Sequence, residues 1–314
     1  MGDTTYEIGY GKHRVPVYRV RAAPLRGVRA IPESAFVGRD NALFACEVDV
    51  DVRGDDFLPA YTRGDNGMVV ATDSMKNVVL REALVWQGAT LEGLLHTLGR
   101  RFVATYPQLR DLRLAVRELR FAPAVVPVGD RGNGGFGPSG VLFDRVKGDH
   151  ATAELDLIGA DDGGGMTVAA HRCGRVGLRL LKTTGSSFTS FVRDGYTTLP
   201  ERRDRPLYVH LDVHWRYADA ADAVGDNPAR YVPAEQVGDV ARAVFHGFVS
   251  ESIQHLVHEI GTRLLERFPG LAEVGFAAEN RTRDPVAERA DDPRVKVYSD
   301  PFPAYGVIEL TMRR

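Results

Sequence analysis

One segment of the chain occurs twice. LEGLLHTLGRRFVATYPQLRDLRLAVREL (91–119) lies over IQHLVHEIGTRLLERFPGLAEVGFAAEN (253–280) at an offset of 162 residues, which sets Leu95-His96 on Val257-His258 and Tyr106-Pro107-Gln108-Leu109 on Phe268-Pro269-Gly270-Leu271. In each copy apolar residues recur at helical spacing (Leu91, Leu94, Leu95, Leu98, Phe102; Ile253, Leu256, Val257, Ile260, Leu264), and a proline closes the helix before a short alternating strand. Upstream stand paired segments with period-two alternation, VPVYRVRA with LFACEVDVDVRG in the first half and VGLRLLKTTG with PLYVHLDVHWRYA in the second. Their valine, leucine and aromatic content marks half-buried strands of antiparallel hairpins. The pattern predicts an α+β chain in which one unit, two strands, a helical stretch and two more strands, is used twice, over residues 1–145 and 146–314. Like sheets side by side create an interface where pockets preferentially form, although repetition alone carries no chemistry.

The 314 residues suffice for two such units at roughly 100–200 residues per domain, without disulfides or structural metal. Forty basic against forty-two acidic residues leave a net charge of −2, so no strong field points toward nucleic acid or an anionic membrane. Cys46 and Cys173 lie far apart with no CxxC, which argues against a disulfide framework, a cysteine-rich zinc site and a thioredoxin-type motif. No apolar run approaches the roughly 20 residues that span a bilayer, and the opening MGDTTYEIGYGKHR has no secretory h-region. A reducing, cytoplasmic location is expected.

Two glycine clusters flank the middle of the chain. DDGGG (161–165) sits between alternating segments and reads as a hairpin turn. GDRGNGGFGPSG (129–140) lacks the Lys-Ser/Thr of a phosphate loop and a strand-to-helix context, so an ordinary surface loop is the better reading. Among the histidines, His210 and His214 share one face of a predicted strand and His255 and His258 one face of the second helix. None belongs to HExxH, and half-exposed surface histidines are the simpler account. No G-x-S-x-G or local cysteine signature marks a nucleophile.

Two polar segments are richer. YTRGDNGMVVATDSMKN (61–77) packs Asp65, Asn66, Thr72, Asp73, Ser74, Lys76 and Asn77 around an apolar stretch, Met68 to Ala71, expected to be a buried strand. Its end could present hydroxyl, amide and cation to a ligand, or Thr72, Asp73 or Ser74 could simply cap a helix. LLKTTGSSFTSFVRDGYTTLPERRDR (180–205) offers the flat face of Phe188 and the planar donor fork of Arg205, a pair suited to a flat heterocycle. A hydroxyl-rich loop with solvated arginines fits equally well.

These residues carry a resemblance. Tyr10-Gly11-Lys12, the long GDNxxVVATDSMKN element, KTTGSSF…FVRDGYTTLPE…DR and Ser252-Ile253-Gln254 occur in the order and length of the urate oxidase (uricase) family, the cofactor-independent purine oxidases of the tunnelling fold, and the similarity covers nearly the whole chain. The resemblance implies two tandem ββααββ units per subunit, antiparallel sheets closing into a barrel in a homotetramer, and active sites between subunits. By the same resemblance Phe188 stacks on the purine, Arg205 clamps the carbonyl and nitrogen edge of its pyrimidine ring, and Gln254 with the backbone amide of Ile253 binds the other edge. Thr72 and the amide of Asp73 come from the neighbouring subunit, Lys12 works with the threonine to deprotonate the substrate, and Asn280 holds dioxygen or water above the ring. No metal or flavin is implied, because a urate dianion is electron-rich enough to reduce dioxygen directly.

One departure stands out. Where the family pattern reads Asn-x-His, this chain reads Asn280-Arg281-Thr282, so Thr282 occupies the position of the histidine that completes the proton relay. Threonine passes a hydrogen bond but takes no proton near neutrality. His13 beside Lys12 would replace it only if the backbone turned it inward, against the alternation of a strand. The resemblance therefore implies urate oxidation to 5-hydroxyisourate and hydrogen peroxide. Two alternatives stay open: a diverged oxidase of a related oxopurine, and a purine-binding protein without turnover.

Overall fold

The computed structural model describes residues 4–129, 134–160, 165–224, 227–281, 283, 285–299 and 303–314. It divides into two compact units, Met1–Arg29, Val37–Cys173 and Asp219–Tyr231 in the first, Ala30–Phe36, Gly174–Ala218 and Val232–Arg314 in the second. In the first, β1 (Gly9–Val20) and β2 (Leu43–Arg53) pair antiparallel, followed by a 3₁₀ turn (Asp55–Phe57) and helices α1 (Leu58–Arg63), α2 (Thr72–Val85) and α3 (Leu91–Thr105). Strand β3 (Asp111–Glu118) returns to pair with β2. A separate hairpin of β4 (Phe121–Pro127) and β5 (Phe136–Arg145) precedes β6 (His150–Gly159), which pairs with β3 and lies beside the start of β7 (Met166–Lys182).

In the second unit the rest of β7 neighbours β8 (Leu207–Tyr217). The chain then forms the short helix α4 (Ala221–Val224), part of the first unit, and continues through α5 (Ala234–Gly247), α6 (Ile253–Arg267) and β9 (Leu271–Asn280). After a small hairpin of β10 (Pro285–Glu288) and β11 (Lys296–Tyr298), β12 (Gly306–Arg313) pairs with β9. The orders β1-β2-α2-α3-β3-β6 and β7-β8-α5-α6-β9-β12 are the same, as a duplicated ββααββ unit requires. Among the described residues no helix is long and apolar enough to cross a membrane.

The alternation read in the sequence becomes two-faced strands. Val48, Val50 and Val52 of β2 and Leu112, Leu114 and Val116 of β3 point to one side, where Met75, Val79, Leu94, Leu95, Leu98 and Phe102 of the helices cover them. The opposite side is charged: Asp156 accepts from Arg113 at 2.8 and 2.9 Å and from Arg53 at 2.6 Å, and the Arg113 bond leads in holding its carboxyl below the usual range. The repeated helices start on hydroxyl caps, Thr90 accepting from the Gly93 N–H (3.2 Å) and Ser252 from the His255 N–H (3.0 Å), which satisfies one orphan donor each. One expectation changes. Met68–Ala71 is not a strand but an irregular connection, whose Val70 N–H is taken by the Tyr10 hydroxyl at 2.9 Å. The cluster at 129–140, of which 130–133 lie outside the described residues, contributes its residues from Phe136 onward to β5 and is followed by no helix, in line with the expectation that it is no phosphate loop.

Residues 30–36 fasten onto the helices of the second unit. The Glu33 carboxylate, its side chain 7% exposed, accepts from Arg263 at 2.8 Å and from Arg267 at 2.8 to 3.0 Å, and Ser34 donates to Asp239 at 2.6 Å. The Arg267 bond, helped by Arg263 and opposed by burial, brings the Glu33 pKa down to about 2 from 4.5. A carboxyl depressed on folding stabilises the native state above its unfolded pKa and loses that contribution as pH falls through the folded one. Glu33→Gln is therefore expected to cost about 2 kcal/mol at neutral pH, the arginines being partly solvated. The difference from wild type should shrink between pH 4.5 and about 2, which urea unfolding at stepped pH measures.

Candidate active site

In the first unit, Lys12 sits on β1 opposite Val50 of β2, beside Gly11, which faces Asp51. A Cβ on Gly11 would stand 2.1 Å from the Val50 carbonyl oxygen and 2.7 Å from Asp51 Oδ1, so only glycine lets β1 approach β2 here. The next paired residue after Lys12 is Val15, opposite Val48, so β1 spends one extra residue in a bulge, with Arg14 at φ 56°. Lys12 and Val15 both lie opposite core valines, while the bulge turns His13 outward to Asp51 (2.6 Å) and aims the Arg14 N–H at Asp49 (2.5 Å). The bond to Asp51 raises the His13 pKa and is its main perturbation. His13 is thus committed to the charged face.

Helix α2 starts at Thr72 with Ala71 in the cap position, which has no side-chain oxygen. The capping reading of Thr72, Asp73 and Ser74 is replaced: their N–H groups occupy the first turn, where no intrahelical acceptor exists and the helix dipole is positive. Thr72 is half-buried and Asp73 exposed. Lys76 donates to Asp73 Oδ1 at 2.5 Å and Asn77 to Oδ2 at 3.0 Å. The Asp73 pKa is lowered chiefly by Lys76, with Lys12 adding a smaller pull, so Lys12 and the start of α2 share one electrostatic neighbourhood. Tyr10 links them further, its hydroxyl receiving the Val70 N–H (2.9 Å) and its ring meeting Phe57 edge-on at 5.2 Å.

In the second unit, Phe188 and Arg205 come together. Phe188 exchanges backbone bonds with Arg202 (2.8 and 3.0 Å), the Arg205 N–H donates to the Ser186 carbonyl at 2.8 Å, and the Arg205 guanidinium carbon lies 5.1 Å from the centre of the Phe188 ring. Phe191 stacks on Phe188 at 4.9 Å, with the planes inclined by 13°. The buried Ser250 hydroxyl donates to Ser186 Oγ at 3.0 Å and the Ser187 N–H donates to the Ser250 carbonyl at 2.8 Å. This joins the Phe188 loop to the segment that enters α6 at Ile253, which has a buried side chain in the first turn, while Gln254 is exposed. Asn280 is the last residue of β9, between Val209 of β8 and Gly306 of β12. Thr282 lies outside the described residues.

Sequence reasoning missed Asp204, hidden in the charged run ERRDR. Its carboxylate accepts from Thr184 Oγ1 at 2.8 Å and the Gly185 N–H at 2.7 Å. Burial pushes its pKa up, but these bonds and one from the Ser186 backbone outweigh it and leave the group below the usual carboxylate range. Gly11 and the Ser186–Ser250 pair were also missed as structural agents. The cysteines offer no nucleophile: burial pushes the Cys46 thiol up to about 12 and the Cys173 thiol higher than normal.

The Uricase family profile matches residues 171–309. The chain is 46% identical to a uricase of Halalkalicoccus jeotgali over 307 residues, 98% of each protein, and 45% identical to a uricase of Haloferax volcanii with the same coverage. Among solved structures, a urate oxidase from Bacillus sp. TB-90 superposes with a TM-score of 0.93 at 41% identity, covering 98% of this chain and 100% of that one. A uricase from Bacillus fastidious gives 0.93 at 39%, covering 99% and 94%.

The Asp204 geometry has a direct readout. Asp204→Ala is expected to accelerate amide hydrogen exchange at Gly185 and Ser186 on the order of tenfold, the loss of charge-assisted bonds worth about 1.4 kcal/mol, with α6 unchanged. Asp204→Asn, which keeps one acceptor oxygen, should lie between.

Proposed function

The chain belongs to the uricase family, and we propose that it oxidises urate with dioxygen and water to 5-hydroxyisourate and hydrogen peroxide. The observation that carries this reading is full-length similarity to uricases, 46% over 98% of both chains. The two local constellations fit it. Phe188 offers a face for the purine, and the Arg205 fork beside that ring suits a carbonyl and ring-nitrogen edge. Gln254 and the Ile253 N–H, at the positive end of α6, would hold the opposite edge of the same ring. A 2-amino substituent would meet Arg205 donor to donor, which disfavours guanine-like rings.

Lys12 is the group assigned to deprotonation, with Thr72 passing the hydrogen bond and the Asp73 amide receiving the five-membered ring. Asn280 is assigned to dioxygen or water. His13 is held by Asp51 on the other face of β1, so no imidazole from that strand enters the relay. Lys12 then works with Thr72 and water, while Thr282 contributes a hydroxyl where relatives of the Asn-x-His pattern carry a ring. The electrons pass from the deprotonated purine to dioxygen, and the protein supplies orientation, proton transfer and exclusion of side reactions.

The assembly belongs to the same proposal: a cytoplasmic homotetramer in which the sheets close a barrel, the repeat halves 1–145 and 146–314 serve as its two units, and Lys12, Thr72 and Asp73 of one subunit complete the site of another. Light scattering of the purified protein reports the mass.

In air, the purified protein should bleach urate's ultraviolet band and release equimolar peroxide. Arg205→Ala should raise the urate KM about 30-fold or more, the cost of two charge-assisted hydrogen bonds, and Lys12→Met should lower kcat about 100-fold with a smaller change in KM. Urate that binds without peroxide release, together with turnover appearing only in Thr282→His, would overturn the assignment.

A further inference from the structure

Asn280 ends β9, and its two chain neighbours do something specific. Antiparallel partners share a sheet face, so Asn280 lies on the side of Val209, which is fully buried, whereas Glu279 lies on the side of His210. On that second side, Arg281 donates from Nε (2.9 Å) and from a terminal nitrogen (2.6 Å) to the same Glu279 oxygen, and its guanidinium carbon lies 3.6 Å from the centre of the Tyr305 ring. The Arg281 backbone N–H donates to the Tyr208 carbonyl at 2.8 Å. Tyr305 immediately precedes Gly306, the residue opposite Asn280 on β12. One residue thus fastens the end of β9 to β8 through its backbone and to the start of β12 through its side chain. Asn280 is the residue between the two ends of that clamp.

We propose that Arg281, held by Glu279 and stacked on Tyr305, is a positioning residue that fixes the Asn280 side chain for the oxygen-handling step. The inference rests on the uricase reading and gives the middle residue of the Asn280-Arg281-Thr282 triplet a task. Several observations support it. The pair and the cation–π contact are charge-assisted and planar, which an arginine satisfies and a lysine does not. His210 Nδ1 lies 3.3 Å from the same Glu279 oxygen, so the carboxylate is shared by Arg281 and the imidazole; burial, together with the charges of Arg179 and Arg281, lowers the His210 pKa against the pull of Glu279. Gly306, opposite Asn280, presents no side chain to it, and a Cβ there would lie 3.7 Å from Asn280 Cβ.

The test compares Arg281→Gln, the isosteric Glu279→Gln, their double variant and Arg289→Gln, a control that breaks the exposed Arg289–Asp291 pair elsewhere in this unit. Urate and dioxygen are varied separately, and thermal midpoints are recorded. A displaced reaction partner costs rate more than urate affinity. Arg281→Gln should therefore lower kcat about tenfold and raise the dioxygen KM while the urate KM stays within about twofold. Glu279→Gln should follow in the same direction, and the double variant should lose no more than Arg281→Gln alone, as expected of one coupled device. Arg289→Gln should behave as wild type. The proposal is overturned if Arg281→Gln leaves kcat and the dioxygen KM unchanged, if the two single losses add, or if kcat falls only in step with the thermal midpoint. A wild type that leaves urate intact removes the uricase reading and this inference with it, whereas an active wild type with an indifferent Arg281→Gln removes the clamp alone.

Discussion

Two glycines, 162 residues apart, stand where the repeated helix meets side chains of the sheet in each unit. A Cβ on Gly99 would stand 2.2 Å from Leu157 Cδ1 and 2.9 Å from Met166 Sδ, and one on Gly261 would stand 2.4 Å from Met312 Sδ and 3.0 Å from Phe276 Cε2. Each glycine lies in the middle of a 15-residue helix, where it gives up about 1 kcal/mol of helix propensity relative to alanine. The atoms a methyl would meet belong to the side chains of Leu157, Met166, Met312 and Phe276, so these would have to repack to admit it. The first turn of α6 also carries Ile253 and Gln254.

The duplication then diverged in what each helix start does. The bounds of α2 and α5, and of α3 and α6, match at the same offset, so Thr72 corresponds to Ala234 and Gln254 to Glu92. Ala234 is buried where Thr72 is half-buried, and Glu92 is buried where Gln254 is exposed. Burial pushes the Glu92 pKa up, and the Tyr231 hydroxyl donates to it at 3.1 Å. In the first unit the start of α3 has become core and the start of α2 has stayed open; in the second unit the roles are reversed. Each copy retains one accessible helix start, and these are the two starts that the family resemblance assigns to the substrate.

Periodicity was enough to read α3, α6 and the strand pairs β1–β2 and β7–β8, because burial on one face leaves its mark every second or every third to fourth residue. It failed at Met68–Ala71, where a run of apolar residues carries no alternation and the deciding bond comes from Tyr10, sixty residues upstream. The bulge at Lys12 was illegible for a similar reason: nothing local in GKHRV shows that Gly11 must pass a carbonyl of β2. Phe188 and Arg205 were visible only as residue types. What makes them a pair is the frame of Ser186, Ser250 and Asp204, whose contacts span 19 to 64 residues and leave no periodic trace. Family motifs supplied those positions, and the structure supplies the reason they hold together.

The electrostatics at the start of α2 follow from the same local geometry. A free carboxylate in the first helical turn would repel an anionic purine approaching the helix end. Here Asp73 is turned back along its own helix to Lys76 and Asn77, one turn further on, and its charge is balanced there. In the proposed site an approaching anion would meet the first-turn N–H groups, the dipole they terminate and the Thr72 hydroxyl, with Lys12 close enough to act on Asp73. This geometry is compatible with the proposed role of the Asp73 amide rather than its carboxylate: the side chain is engaged by Lys76 and Asn77, and the backbone N–H would be left to bind.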